Sequence, residues 1–181
     1  MSSRFPTDVN HSLALLMPRG GEIGPHADGW GVAFYEGRAA RIFKEPVPAA
    51  ESRCLAFIAE YDYRSSIVIG HIRKANPPEF GRSSANTHPF TRELGGRSWV
   101  FAHNGKVPSV KDDSRFATER FLPMGDADSE HAHIHDRTQH LGLNSQGDCR
   151  ELGLKTSAHR DDQIRWDNSV DHHRNNRFES L

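Results

Sequence analysis

Arg73 stands directly after an apolar, β-branched run, Ser66 to Ile72. A guanidinium held at the end of a rigid strand offers a planar fork of N–H donors to a carboxylate, the geometry for gripping an amino acid. An arginine at a strand end is also a common partner in a surface ion pair. Asp128 is the natural complement: its carboxylate can hold an α-ammonium group, and it is equally a residue that caps a helix by accepting from free backbone N–H groups. Asn104-Gly105 follows the stretch VFAH. There an amide side chain and a glycine N–H can converge as an oxyanion hole, where one donor typically contributes about 3–4 kcal/mol of transition-state stabilisation. The same dipeptide is the strongest two-residue hairpin signal, and the two readings are compatible. The glycines Gly20, Gly21, Gly24, Gly29 and Gly31, around His26 and Asp28, imply close backbone approach at a loop mouth. No GxGxxG or GxxxxGK spacing accompanies them, so they carry no phosphate fingerprint.

The elements that must position these residues follow from periodicity. Trp30 to Tyr35 and Arg38 to Phe43 are apolar, aromatic-rich runs joined by Glu36-Gly37, which reads as a β-hairpin. Pro46 and Pro48 interrupt the extended pairing, and Ala50 to Tyr61 places Cys54, Phe57, Ile58 and Tyr61 on one helical stripe, with Cys54 in the core. Ser66 to Ile72 reads as a strand buried on both faces, with His71 and Arg73 at its exit, and Trp99 to Ala102 as a second such strand. Asn76 to Asn86 has the composition of a loop that returns to order at Thr87-His88-Pro89-Phe90. Asp126 to Glu130 resembles a helix start, with acids and a serine in the first turn.

Only 35% of the 181 residues are apolar, against roughly 45–50% (glycine included) in an ordinary domain, and the shortfall is concentrated after His131. The core is therefore expected in the first 130 residues or so, and the sequence divides into a domain over 5–135 and a polar, His-rich tail over 136–181, read as irregular or disordered. Net charge is −1 and basic residues are interspersed with acids, which argues against a nucleic-acid partner. No apolar run approaches the roughly 18–20 residues of a membrane span, no signal peptide is apparent, and two dissimilar cysteines, Cys54 and Cys149, make no disulfide framework. A cytoplasmic protein without membrane contact is expected. Just before the tail His131, His133 and His135 alternate, and within it His172-His173 lie among acids and asparagines; metal binding there is a competing reading, weakened because a helix would align only His131 and His135.

In order, RGGEIGPHADGWGVAFYEG, GHIRKA, NTHPF, WVFAHNG and GDADSE resemble the class II glutamine amidotransferases of the stand-alone bacterial type, over roughly Pro6 to Glu130. The resemblance implies an α+β fold, the N-terminal-nucleophile hydrolase sandwich in which two antiparallel sheets lie between helical layers, here expected to be incomplete at both ends. It implies hydrolysis of the side-chain amide of L-glutamine. Arg73 would bind the α-carboxylate, Asp128 the α-amino group, Asn104 and Gly105 would form the oxyanion hole, and Thr87 and His88 would line the same pocket. No cofactor and no metal are implied; an ammonia-accepting partner enzyme is left open. The family nucleophile is an N-terminal cysteine whose own α-amine, with a pKa near 8, is the general base. Only Met1 to Arg4 precede the family-like segment Phe5-Pro6-Thr7-Asp8. A deficit of about six residues, at roughly 3.3 Å each, would leave the attacking group on the order of 20 Å short. The expectation is a chain inactive as written, or a non-catalytic remnant that still binds glutamine or a related amino acid.

Overall fold

The computed structural model describes residues 1–75, 81–107, 110–118, 121–140, 155–159 and 163–167. The chain falls into two compact units, Met1–Leu143 and Asn144–Leu181. The first is mixed α/β, with two antiparallel sheets. Its larger sheet holds β1 (Ser2–Thr7), β2 (Trp30–Glu36), β3 (Ala39–Glu45) and β4 (Ser65–Ile72) in the order β1-β4-β2-β3, and its smaller one pairs β5 (Phe90–Glu93) with β6 (Ser98–Phe101). Helices α1 (Asn10–Leu16) and α2 (Arg53–Glu60) lie between strands of the larger sheet in sequence, and α3 (Asp128–His140) follows β6.

β2 and β3 form the expected hairpin, but Glu36 pairs with Ala39, so the connection is Gly37-Arg38 rather than Glu36-Gly37. Gly37 has φ +63°, which a residue without Cβ adopts freely, and this places the reversal one residue later. β2 is the central strand: Trp30 to Phe34 are all buried between β4 and β3. β4 was expected to be buried on both faces, yet only Ser65 and Val68 are buried and Gly70 is exposed. Its neighbour β1 is a mostly exposed edge strand, and so covers it incompletely.

α2 starts at a Ser52 cap whose Oγ accepts from the Leu55 N–H at 2.9 Å, and it buries Leu55 and Ile58. The expected stripe is thus rotated, because Phe57 and Tyr61 are about half exposed and stack on each other outside. Two apolar stripes overlap in this segment, and the one carrying Leu55 is the one that meets the core. Cys54 packs at the margin of that core, which is built from Val9, Leu13, Trp30, Val32, Phe34, Leu55, Ile58 and Val68. At about 1.5–3 kcal/mol for each large apolar side chain withdrawn from water, this cluster fixes the sheet against α1 and α2.

The smaller sheet joins the hairpin end of the larger one. Ser98 N–H donates to Arg38 O at 2.8 Å, and the Tyr35 hydroxyl both donates to Ser98 O and accepts from Val100 N–H, each at 3.1 Å. The helix whose start was read at Asp126 to Glu130 runs from Asp128 to His140, inside the first unit, which ends at Leu143. Its polar residues do not disqualify it, because the surrounding unit buries them: Ser129, Glu130, His133, His135 and Asp136 are all buried. Glu130 accepts from Arg92 Nη2, Met124 N–H and Gly125 N–H, while His133 stacks on Phe101 and His135 meets Phe116 edge-on. In the second unit, within the segment read as an irregular tail, β7 (Lys155–His159) and β8 (Gln163–Asp167) pair as an antiparallel ribbon. Cys149 and His172-His173 lie outside the described residues. No described helix is long and apolar enough to cross a membrane.

Candidate functional site

Beyond the pair Trp30–Ile72, the ladder between β2 and β4 continues into the loops: Arg73 N–H donates to Gly29 O at 2.7 Å and Asp28 N–H to Arg73 O at 2.9 Å. Arg73 is therefore held by its backbone at a strand exit and is 6% exposed. Its Nη1 donates to Asp28 O at 3.2 Å and to Gly81 O at 2.8 Å. Burial lowers its pKa, and Asp28 opposes that shift. Among the described residues Arg73 forms no surface ion pair of the kind weighed for it.

The glycine-rich loop has a steric reason at two positions. A Cβ on Gly29, whose φ is +143°, would lie 2.8 Å from Thr87 Oγ1, and one on Gly31 would lie 2.2 Å from His88 O. The segment Thr87 to Phe90 thus packs directly on the β2 backbone. Lys44 Nζ fastens it, donating to Thr87 O at 2.9 Å and Pro89 O at 3.5 Å. Thr87 is completely buried and its Oγ1 donates to Ser83 O at 2.7 Å, so it stands behind the wall of the site instead of lining it. His88 does line the site. Both its ring nitrogens lack a partner among the described residues, and its ring lies 4.2 Å from that of His71.

Asn104-Gly105 follows β6, and both residues are exposed to the site. No strand follows among the described residues up to 118, so the pair does not close a hairpin. Gly105 has φ +133°, and a Cβ there would sit 3.3 Å from His103 Cε1. Asp128 begins α3 as expected for a cap: Oδ1 accepts from Ser129 N–H and Oδ2 from Val107 N–H, both at 2.7 Å. Oδ1 also accepts from Ser129 Oγ at 3.3 Å, while Oδ2 keeps acceptor capacity beyond its one bond, and the residue lines the cleft.

Arg73, His88, Asn104, Gly105 and Asp128 converge on one cleft, with His26, His71, Lys74, His103, Lys106 and Ser129 also in its walls. Its volume is about 280 Å³, close to the lower end of the roughly 300–1,000 Å³ typical of small-molecule sites. Three of its imidazoles, those of His71, His88 and His103, are pushed toward the neutral form. Burial pushes His71 down to about 4 and His88 to about 2, His88 further by the charges of neighbouring groups, while the His103 carbonyl partly opposes the shift of His71. Burial lowers His103 as well, against the pull of Asp128. The fixed charges in the walls are then cationic Arg73, Lys74 and Lys106 facing anionic Asp128, an arrangement complementary to a zwitterion.

Sequence reasoning missed His71, His103 and Ser129 as wall residues. Each lies next to a residue that was singled out: His71 is two positions before Arg73 on the same face of a strand, His103 precedes Asn104, and Ser129 follows Asp128. No group of three His, Cys, Asp or Glu that could hold a metal exists among the described residues. His131, His133 and His135 lie on a helix rather than a strand, which separates them around its axis.

The family model for the class II glutamine amidotransferases matches residues 1–139, a span that contains every wall residue of the cleft. The chain belongs to the class II glutamine amidotransferases. It is 45% identical over 142 residues to YafJ of Escherichia coli (strain K12), provisionally named a glutamine amidotransferase, covering 77% of this chain and 54% of that protein. A Haemophilus influenzae protein with the same provisional name is 43% identical over 133 residues, covering 73% of this chain and 43% of its own length. The 2.0 Å crystal structure of a predicted glutamine amidotransferase from Pseudomonas aeruginosa PA01 aligns with a TM-score of 0.51 at 36% identity, over 83% of this chain and 58% of that one. The chain thus spans about half the length of the curated relatives it matches.

Proposed function

We propose that the cleft binds L-glutamine, with the α-carboxylate on Arg73, the α-ammonium on Asp128 and the side-chain amide oxygen at the Asn104 amide and Gly105 N–H. The observation that carries this reading is the convergence of Arg73, His88, Asn104, Gly105 and Asp128, from four separate segments, on one cleft. A zwitterion needs a cation and an anion held apart, and the neutral imidazoles between them add donors and acceptors without adding charge. The finer architecture that goes with this reading is the αββα sandwich of N-terminal-nucleophile hydrolases. Its setting is cytoplasmic, its partners include neither nucleic acid nor membrane, and an ammonia acceptor would be a separate enzyme.

Hydrolysis needs a thiol and a base at the cleft. Cys54, the cysteine among the described residues, packs at the core, and burial followed by Glu45 raises its pKa. The α-amine of Met1 donates to Val68 O at 2.6 Å. Val68 lies five positions before Arg73 on an extended strand, about 16 Å at roughly 3.3 Å per residue. Among the described residues the cleft thus supports glutamine binding, and no thiol lines it. Calorimetry with L-glutamine tests this: Arg73→Ala and Asp128→Asn should each weaken binding by at least about thirtyfold, since truncating one partner of a desolvated charge pair costs about 2–5 kcal/mol. Binding unaffected by Arg73→Ala would contradict it.

A further inference from the structure

We infer that Asp28, with Arg82 as its ion-pair partner, is the positioning residue that fixes the fork of Arg73 for a ligand carboxylate, an inference that rests on the glutamine reading above. Asp28 is absent from the cleft walls, so any influence it has on a ligand passes through a neighbour. Two direct contacts make Arg73 that neighbour. Asp28 N–H donates to Arg73 O at 2.9 Å, and Asp28 O accepts from Arg73 Nη1 at 3.2 Å. The Asp28 carboxylate then reaches both sides of the chain that leaves β4: Oδ2 accepts from Ala75 N–H at 2.8 Å, and Oδ1 accepts from Arg82 Nε at 3.3 Å. Arg82 is bonded in sequence to Gly81, whose carbonyl accepts from Arg73 Nη1 at 2.8 Å.

The guanidinium is thus held through one nitrogen by two carbonyls, and a single carboxylate keeps both carbonyls in place. Nε and Nη2 of Arg73 have no partner among the described residues, and that edge of the fork can grip a carboxylate with two parallel bonds. Burial alone would raise the Asp28 pKa, but the Ala75 N–H, Arg82 and the charge of Arg73 together hold it below the ordinary value. The carboxylate therefore stays ionised wherever the cleft works. Exposure of the ion pair, 51% for the Arg82 side chain and 27% for Asp28, makes Arg82 the weaker of its two anchors and Ala75 the stronger.

The test uses the full 181-residue chain with Asp28→Ala, Asp28→Asn and Arg82→Ala, titrated with L-glutamine and with 4-aminobutanamide, which keeps the amide and the amine but has no α-carboxylate. Glutamine affinity should fall about tenfold in Asp28→Ala and about two- to threefold in Arg82→Ala, with Asp28→Asn between them because it can still accept from Ala75 N–H. Affinity for the analogue should stay as in the unaltered chain, which a general loss of folding would not allow. Without any ligand, the Arg73 guanidinium Nε–H resonance should be sharp in the unaltered chain and broadened in Asp28→Ala. Equal losses for both ligands, or an Arg73 resonance and glutamine affinity unmoved in Asp28→Ala and Arg82→Ala alike, overturn the inference. If the unaltered chain binds neither ligand while the resonance still responds to Asp28→Ala, the glutamine reading fails and the positioning role stands.

Discussion

A cysteine supplied at the right distance upstream of Met1 should convert this chain from a binder into a glutaminase. Met1 and Val68 exchange backbone hydrogen bonds of 2.6 and 3.0 Å, and Ser2 pairs with Ile67, so the start of β1 runs antiparallel to β4 in a defined register, which shifts only between Ser2 and Thr7. Residues added before Met1 continue opposite Ile69, Gly70, His71 and Ile72, and the fifth lies opposite Arg73. The added strand covers about 16 Å at roughly 3.3 Å per residue, the distance that separates the Met1 amine from the cleft. A series of extensions of three to seven residues, each beginning with a cysteine bearing a free α-amine, would be assayed for ammonia release from glutamine. Activity should peak at five. Lengths of four and six turn the thiol to the opposite face of the sheet, and a misplacement of even about 1 Å from reacting geometry can cost roughly a hundredfold. Acetylating the new amine should abolish turnover, since it is the base for its own thiol. Turnover by the unextended chain, or equal turnover at every length, would refute the reasoning.

Acid should destabilise the fold well before its carboxylates titrate. His71 has its folded-state pKa lowered to about 4 from an unfolded value of 6.5, so below 6.5 the unfolded chain takes up a proton that the folded chain refuses, and stability falls as pH drops from 6.5 to about 4. For that residue the interval amounts to on the order of 3 kcal/mol, and His88 adds to it in the same direction; chemical denaturation across this range should show the decline, and a flat profile would contradict it. Gly31→Ala should cost about 1–3 kcal/mol, because its Cβ would meet His88 O at 2.2 Å, whereas Gly70→Ala in the neighbouring strand meets only Leu16 at 3.7 Å and should be near neutral. Urea midpoints separate the two. His88→Phe should weaken glutamine binding and leave the melting temperature within a few degrees, since the ring it replaces packs against His71 and Phe90 but hydrogen-bonds to no described residue.

Where local chemistry decides structure, the sequence was legible. The β2–β3 hairpin, the start of α3 and the strand leading to Arg73 followed from aromatic-rich and β-branched apolar runs, a glycine turn and first-turn acids. Four residues that line the cleft, Arg73, Asn104, Gly105 and Asp128, stood out in the sequence for the same reason, since each lies close to the end of a regular element. The misreadings came where tertiary surroundings overrule local pattern. Phe57 and Tyr61 look like core residues by spacing, yet Leu55 wins the buried side of α2. Polar residues run through Glu130–Asp136, yet most of the segment is buried, with Glu130 bonded to Arg92, His133 stacked on Phe101 and His135 edge-on to Phe116. Thr87 resembles a wall residue, but the missing Cβ of Gly29 lets it sink behind His88. None of these outcomes is encoded within a window of a few residues.

The most direct test of the central claim is a crystal structure of the 181-residue chain soaked with L-glutamine. The α-carboxylate should lie on the Nε and Nη2 edge of Arg73, the ammonium against Asp128 and the side-chain amide at Asn104 and Gly105. A ligand bound in the reverse orientation, or an empty cleft with glutamine bound elsewhere, would contradict the account.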